Sequence, residues 1–482
     1  GGVASFCRLI AAWFRRKHNV DGLLPIIAIS YCWLQPQHPD REGHQVRLLC
    51  ARLAKLYGGL GLLGACRAYG FSDMGVFLDF GSLYQKDPKL WASWMANSEL
   101  CKMSDELLEH VSVDGARMVA ERRAYEESRT GEQRKAFGRA LEKTMDLWYA
   151  HSGITVVLLT ELPDRDVLPQ DFDAAARGYA NRGWTTFERC SAELAKSFRL
   201  STANWKLVID VSDKDGGAAR RLPTSPERMA ELLEQRHFTN GADKAAVLAL
   251  YKSTAAAVLG TVEVLDYTGL PLVCGDEWCS PKLLAASLNH CVLLRKLRLA
   301  GTRLDDKGLR QLVHELKDNS LPALEYLSVS SNRFGAHGIE ELCAAFQRGV
   351  AAELRRLTLG SCLLGDAGAS VFATALGTCG GVPERLAVAN LSSNDIGDVG
   401  AKALAAALLQ SGTACHIGCA SNRIGLLAQS ELLRALEARH PGVGLGHAIA
   451  AMGLNPPFWP PTFARALGRG QRLATESGHT LV

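Results

Sequence analysis

Trp184 and Glu188 stand four residues apart in "RGWTTFERC", one turn of a helix. Arg182, just ahead of them, offers Glu188 a local counter-charge, with Trp184 packing over its apolar stem. Upstream, Asp79 lies inside "VFLDF", a carboxylate in an apolar setting that requires a partner if it is buried. Ser30, Tyr31 and Trp33 in "ISYCW", and Ser82 and Gln85 beyond Asp79, add hydroxyl, aromatic and amide groups. Other constellations fail on spacing. Cys32, His38 and Asp79 fix no nucleophile–base geometry. "GLGLLG" (59–64) follows a helical stretch, so the strand that should precede a phosphate loop is missing. Cys274 and Cys279, and the group Cys415, His416 and Cys419, supply no convergent zinc quartet, and no metal is expected.

These residues sit where strand and helix patterns alternate. Branched or aromatic apolar runs cover 23–33, 74–83, 153–162 and 204–213, with helical periodicity over 43–57, 131–151 and 184–198. That alternation predicts a parallel sheet covered on both faces. The carboxyl ends of such strands form a crevice, which makes Ser30, Tyr31, Trp33, Asp79, Ser82, Gln85 and Arg182 candidate ligand contacts. Residues 1–22 read as an N-terminal helical extension, 23–212 as the α/β domain with a helical insertion at 84–130, and 213–262 as a helical linker.

Beyond the linker the chain repeats. "LRKLRLAGTRL" (294–304), "LEYLSVSSNRF" (324–334), "LRRLTLGSCLL" (354–364), "ERLAVANLSSNDI" (384–396) and "ACHIGCASNRI" (414–424) share L-x-x-L-x-L-x-x-N-x-L. The N slot holds Thr302, Asn332, Cys362, Asn394 and Asn422, spaced by 30, 30, 32 and 28 residues. Asp306, Asp366 and Asp398, four residues past the slot, suit a cap on the helix that follows. A side-chain amide in the slot is expected to bond the backbone of the next turn. Helical stripes such as Leu309, Leu312, Val313 and Leu316 then face the strand side, and stacking buries what no single unit can. Residues 263–455 form this array, and "NPPFWPPTF" (455–463) ends it, leaving 456–482 as a proline-rich tail.

The repeat pattern matches leucine-rich repeats of the long ribonuclease-inhibitor type, implying an α/β solenoid, or horseshoe, with a concave strand face. Arg295, Lys296, Arg298, Tyr326, Arg355, Arg356 and Thr358 project from that face as a basic stripe around one aromatic. Two readings stand open: a docking site for an acidic protein surface, or a solvated mixed-charge face, for which Glu325 argues. In the N-terminal half, "ISYCW", "VFLDFGSLYQ", "MDLWYAHSGITVVLL" and "YANRGWTTFE", across about 25–212, resemble the heterokaryon-incompatibility family. That family is similar in turn to TIR domains, so the resemblance implies a flavodoxin-like parallel sheet and a role in signalling. The same cassette ahead of leucine-rich repeats resembles a group of algal and protist proteins. Catalytic TIR domains cleave the nicotinamide–ribose bond of NAD with a glutamate four residues after a tryptophan, positions held here by Glu188 and Trp184.

Composition bounds the function. Hydrophobic content of 47% and charged content of 22% describe a globular chain of 482 residues, and a net charge of +4 is too small to imply nucleic acid. Fourteen cysteines without disulfide spacing read as reduced thiols, hence a cytoplasmic protein. No apolar run is long enough to span a bilayer. The chain begins at Gly1, which reads as a fragment or processed product. The leading expectation is an interaction or signalling scaffold whose repeats bind a protein partner, with self-association through the N-terminal domain and no cofactor. The alternative is an NAD-cleaving glycohydrolase regulated by its repeats, in which NAD enters only as substrate.

Overall fold

The computed structural model describes residues 26–439 apart from 36–37, 57, 60–63, 65–66, 68–72, 79–85, 98, 101–102, 152, 195–206, 213–220, 240, 242 and 413–414. The chain divides into two compact units, one of Gly1–Arg220 with Pro226–Ala256, the other of Arg221–Ser225 with Ala257–Val482. Among the described residues no helix is long and apolar enough to cross a membrane.

The first unit is built on β1 (Ile26–Tyr31), β2 (Gly75–Leu78), β3 (Ile154–Leu159) and β4 (Val208–Val211). Its helices are α1 (His44–Leu56), α2 (Asp105–Val111), α3 (Gly115–Glu126), α4 (Gly131–Lys143), α5 (Met145–Ala150), α6 (Ala174–Arg177), α7 (Gly183–Ala192), α8 (Pro226–Glu234) and most of α9 (Asp243–Thr261). The four strands are all parallel in the order β2-β1-β3-β4. β3 is buried along its whole length, as a strand covered on both faces must be. Period-two alternation divides the side chains. Ile27, Ile29, Tyr31, Val157, Leu159, Ile209 and Val211 pack with Leu49 and Leu53 of α1. Ala28, Ser30, Leu158 and Asp210 alternate with them and so face the other way. On that second side Phe77 stacks on Trp148 of α5 at 4.4 Å.

The insertion between β2 and β3 carries α2 and α3, which pair over a small core of Leu108, Met118 and Val119. Residues Pro226–Ala256, within the stretch read from the sequence as a helical linker, cluster with the first unit. The reason is apolar: Tyr251 is fully buried and meets Phe187 of α7 edge to face at 6.3 Å.

The second unit is a stack. β5 (Val264–Asp266), β6 (Lys296–Arg298), β7 (Tyr326–Ser328), β8 (Arg356–Thr358), β9 (Val388–Asn390) and β10 (His416–Gly418) form one parallel sheet in sequence order. Each is followed by its helix: α10 (Pro281–Leu288), α11 (Asp306–Glu315), α12 (Ala336–Gln347), α13 (Gly365–Gly377), α14 (Asp398–Gln410) and α15 (Leu426–Arg439). Leu299, Val329, Leu359 and Leu391 all line the core, as do the stripes Leu309, Leu312, Val313 and Leu376, Leu404, Leu408. This is the α/β solenoid expected of the repeats.

Two hydrogen-bonding details differ from the sequence reading. The N-slot amides turn backward, not forward. Asn332 donates to Leu299 and Val329 carbonyls at 2.8 and 2.7 Å and accepts from Leu304 N–H at 3.0 Å. Asn394 and Asn422 do the same to their preceding layers. The chain can turn this way because the residue before each slot, Gly301, Ser331, Ser361, Ser393 or Ser421, is left-handed. Cys362, in the third slot, directs its thiol at Val329 O, 3.2 Å away.

The aspartates do not cap their own helices. Asp306 and Asp398 are first helical residues, and Asp366 is the second, so they lie too deep for an N-cap. Asp306 accepts from Gly335 and Gly338, Asp366 from Gly397 and Gly400, and Asp398 from Gly425, each in the following layer. Glycine is needed at Gly400, where a Cβ would lie 2.8 Å from the Asp366 carboxylate. Among the described residues α13 receives no such carboxylate, because Ala336 stands where the accepting aspartate would be. Arg348 and Arg439 close the opposite ends by donating to Val313 and Leu408 carbonyls of the preceding helices.

Asp366→Ala should lower stability by about 1 kcal/mol and Asn332→Ala by about 3 kcal/mol, read from urea midpoints. Equal losses would contradict the difference in burial. Burial pushes the thiols of Cys291, Cys343, Cys415 and Cys419 up from 9.0 to about 12, and Cys362 to about 11. A raised folded value means the folded state keeps protons the unfolded chain releases. Their contribution is therefore intact below about pH 9 and falls as pH rises toward 12. The alkaline slope of the midpoint should flatten when these cysteines are replaced by alanine.

Candidate functional site

α7 sets the chemistry of the first unit. Its start is fixed by the segment after α8: Gly183 N–H donates to His237 O at 3.1 Å, and His237 N–H to Asn181 O at 2.8 Å. Arg182 donates to the Thr239 hydroxyl at 2.7 Å, and Trp184 Nε1 to Asp243 at 3.1 Å. Glu188, one turn on, points to the sheet and accepts from Ser30 Oγ at 2.5 Å. The local Arg182–Glu188 pair suggested by the sequence is thus replaced by two longer-range bonds. β1 reaches Glu188, while the segment after α8 takes Arg182.

Ser30 is also 2.6 Å from Tyr179 Oη. Since its single proton goes to Glu188, Tyr179 donates to Ser30, giving a relay Tyr179–Ser30–Glu188. All three are buried, at 4%, 0% and 5% exposure. Burial, then the Glu188 charge, pushes the Tyr179 hydroxyl well above its usual range. Beside them Arg189 donates to Asp210 at 2.5 Å and lies 3.7 Å from Glu193. Thr160 donates to the same Asp210 at 2.5 Å. Burial alone would lower the Arg189 pKa, but Glu193 and Asp210 outweigh it and hold the value up. Ser30, Leu158 and Asp210 are register partners on three strands, so neighbouring residues of α7 meet one row of the sheet.

The other crevice candidates fall elsewhere. Tyr31 belongs to the apolar cluster on the α1 side, with Trp33 packed against it. The structure does not bring those rings to the Glu188 face. Asp79, Ser82 and Gln85 lie outside the described residues. Cys32 is buried, and burial lifts its thiol to about 12, far from a neutral-pH nucleophile. Tyr179, Arg189 and Asp210 were not singled out as site residues from the sequence. Asp210 in "LVIDV" carries the same signal that drew attention to Asp79.

The second candidate is the strand face of the repeats. Lys296, Tyr326 and Arg356 align across β6, β7 and β8, and Arg298, Ser328 and Thr358 form the neighbouring row. Arg295, Lys296, Arg298, Arg355 and Arg356 are exposed, while Tyr326 and Thr358 are half-buried. Not all these cations are available. Arg295 pairs with Glu325 at 3.0 Å and Arg298 with Asp266 at 3.2 Å. Among the described residues Lys296, Arg355 and Arg356 have no ion-pair partner. Arg298 also lies 6.0 Å from the centroid of the Tyr326 ring. The N-slot residues take no part in this face: Thr302, Asn332, Cys362 and Asn394 are buried within the turns.

The "Leucine Rich repeat" family model matches residues 390–405. The pig (Sus scrofa) ribonuclease inhibitor is 31% identical over 177 residues, which cover 31% of this chain and 38% of that protein. The chain thus spans well under half the length of that curated relative. At the superfamily level the second unit has a leucine-rich-repeat fold of the ribonuclease-inhibitor type.

Ser30→Ala removes the hydroxyl joining Tyr179 to Glu188 and should lower stability by about 2 kcal/mol. Glu188→Gln, which keeps an acceptor for Ser30, should cost less than Glu188→Ala. Thermal melts of the three variants check the order.

Proposed function

We propose that this protein is an interaction module whose repeat face binds an acidic protein surface, with the first unit serving assembly or signal output. One observation carries the reading. Of the five cations on the strand face, two are neutralised by Glu325 and Asp266, and of the remaining three Lys296 and Arg356 flank Tyr326 in register. An aromatic flanked by cations that lack intramolecular partners is the pattern of a recognition hot spot. The mixed-charge alternative describes Arg295 and Arg298 well and leaves Lys296, Arg355 and Arg356 without a role.

For the first unit we carry forward the TIR-like, flavodoxin-like assignment, with 23–212 as its core. The parallel order β2-β1-β3-β4 supports it, because that order reverses between β1 and β3 as doubly wound sheets do. Self-association through this unit is part of the same reading. An NAD-cleaving role for Glu188 and Trp184 ranks second. Glu188 is 5% exposed and already holds Ser30, while the half-buried Trp184 commits its ring N–H to Asp243.

Charge reversal tests the first reading. Purified Lys296→Glu/Arg356→Glu protein should lose at least tenfold in affinity for poly-glutamate and for acidic proteins retained by the wild type. Reversal of the exposed Lys402 on α14 should change nothing. Equal retention by all three proteins would refute the basic-face reading. Incubation with NAD tests the second: nicotinamide release that disappears in Glu188→Gln would restore the enzyme.

A further inference from the structure

Resting on the basic-face reading, we propose that the occupant is a polyproline II segment with two carboxylates three residues apart and proline between them. The row Lys296, Tyr326 and Arg356 crosses three adjacent strands in register. Strands lie about 4.8 Å apart, so the backbone positions of the two cationic residues lie on either side of Tyr326, about 9.6 Å from each other. A polyproline II chain rises about 3.1 Å per residue with three residues per turn, so positions i and i+3 share a face about 9.3 Å apart. A β-strand does not match, since residues on one of its faces recur at about 6.6 and 13 Å.

A helix places residues seven apart at about 10.5 Å, which also spans the cations. The neighbouring row separates the two. Asn390, half-buried on the second row, has an amide NH2 with no side-chain partner among the described residues. A polyproline II backbone has no internal hydrogen bonds and offers free carbonyls to such a donor, whereas a helix has used its own. Tyr326, half-buried between the cations, supplies the aromatic wall on which proline rings pack.

Labelled peptides titrated into the full-length protein at low salt test this by fluorescence anisotropy. A peptide with Glu-Pro-Pro-Glu at its centre should bind at least tenfold more tightly than Glu-Pro-Pro-Pro-Glu, Glu-Gly-Gly-Glu or Gln-Pro-Pro-Gln. Tyr326→Ala should erase that preference, and Lys296→Glu/Arg356→Glu should erase binding. Circular dichroism melts confirm that these surface variants fold. Equal binding of every acidic peptide, lost on charge reversal, would overturn the polyproline proposal and leave the basic face standing. Binding of acidic peptides and poly-glutamate that charge reversal does not change would overturn both.

Discussion

The buried amide in the repeat turn is the interaction on which the second unit depends. Each turn brings backbone carbonyls and N–H groups into an apolar interior, where unpaired polar groups cost about 1–3 kcal/mol apiece. Asn332 satisfies several of them at once, and does so across two layers, by bonding Leu299 O and Leu304 N–H as well as Val329 O. A layer therefore completes its hydrogen bonding only when the next one is in place. Leucines supply the bulk of the stabilisation by burial, while the amides fix the register in which the layers meet.

That register produces the surface. Because β6, β7 and β8 are aligned residue for residue, Lys296, Tyr326 and Arg356 come into line although they are 30 residues apart in sequence. The same alignment brings Glu325 to Arg295 and Asp266 to Arg298, so the geometry that gathers the cations also cancels two of them. In the first unit an equivalent alignment places Ser30 and Asp210 under successive residues of α7. Glu188 and Arg189 are held there as parts of one buried polar layer, which gives α7 a fixed seat on the sheet.

The repeats were legible because a period near 30 residues states both the strand and its neighbour. The direction of the inter-layer bonds was not, since Asn332 has a layer on either side and the pattern alone does not choose between them. Asp306 misled for a related reason: spacing marks it as near a helix start, but only the structure shows that Asp305 holds the N-cap position. In the first unit the alternation of strands and helices was plain, and Trp184 and Glu188 stood out. Their partners Asp243 and Ser30 lie 59 and 158 positions away and leave no local mark. Tyr251 looked like part of a helical linker because an apolar residue in one helix does not name the surface that covers it.

The missing carboxylate at Ala336 divides the array. α12, α14 and α15 have their first turns held by an aspartate of the preceding layer, and α11 by its own Asp305, whereas α13 starts from Leu364 without any side-chain cap. Along the helical rim the coil is thus fastened in two blocks, one ending at α12 and one beginning at α13. At that step the start of α13 is held by packing and by the Gly365 N–H bond to Asn394 O at 2.8 Å in place of a carboxylate from the layer before.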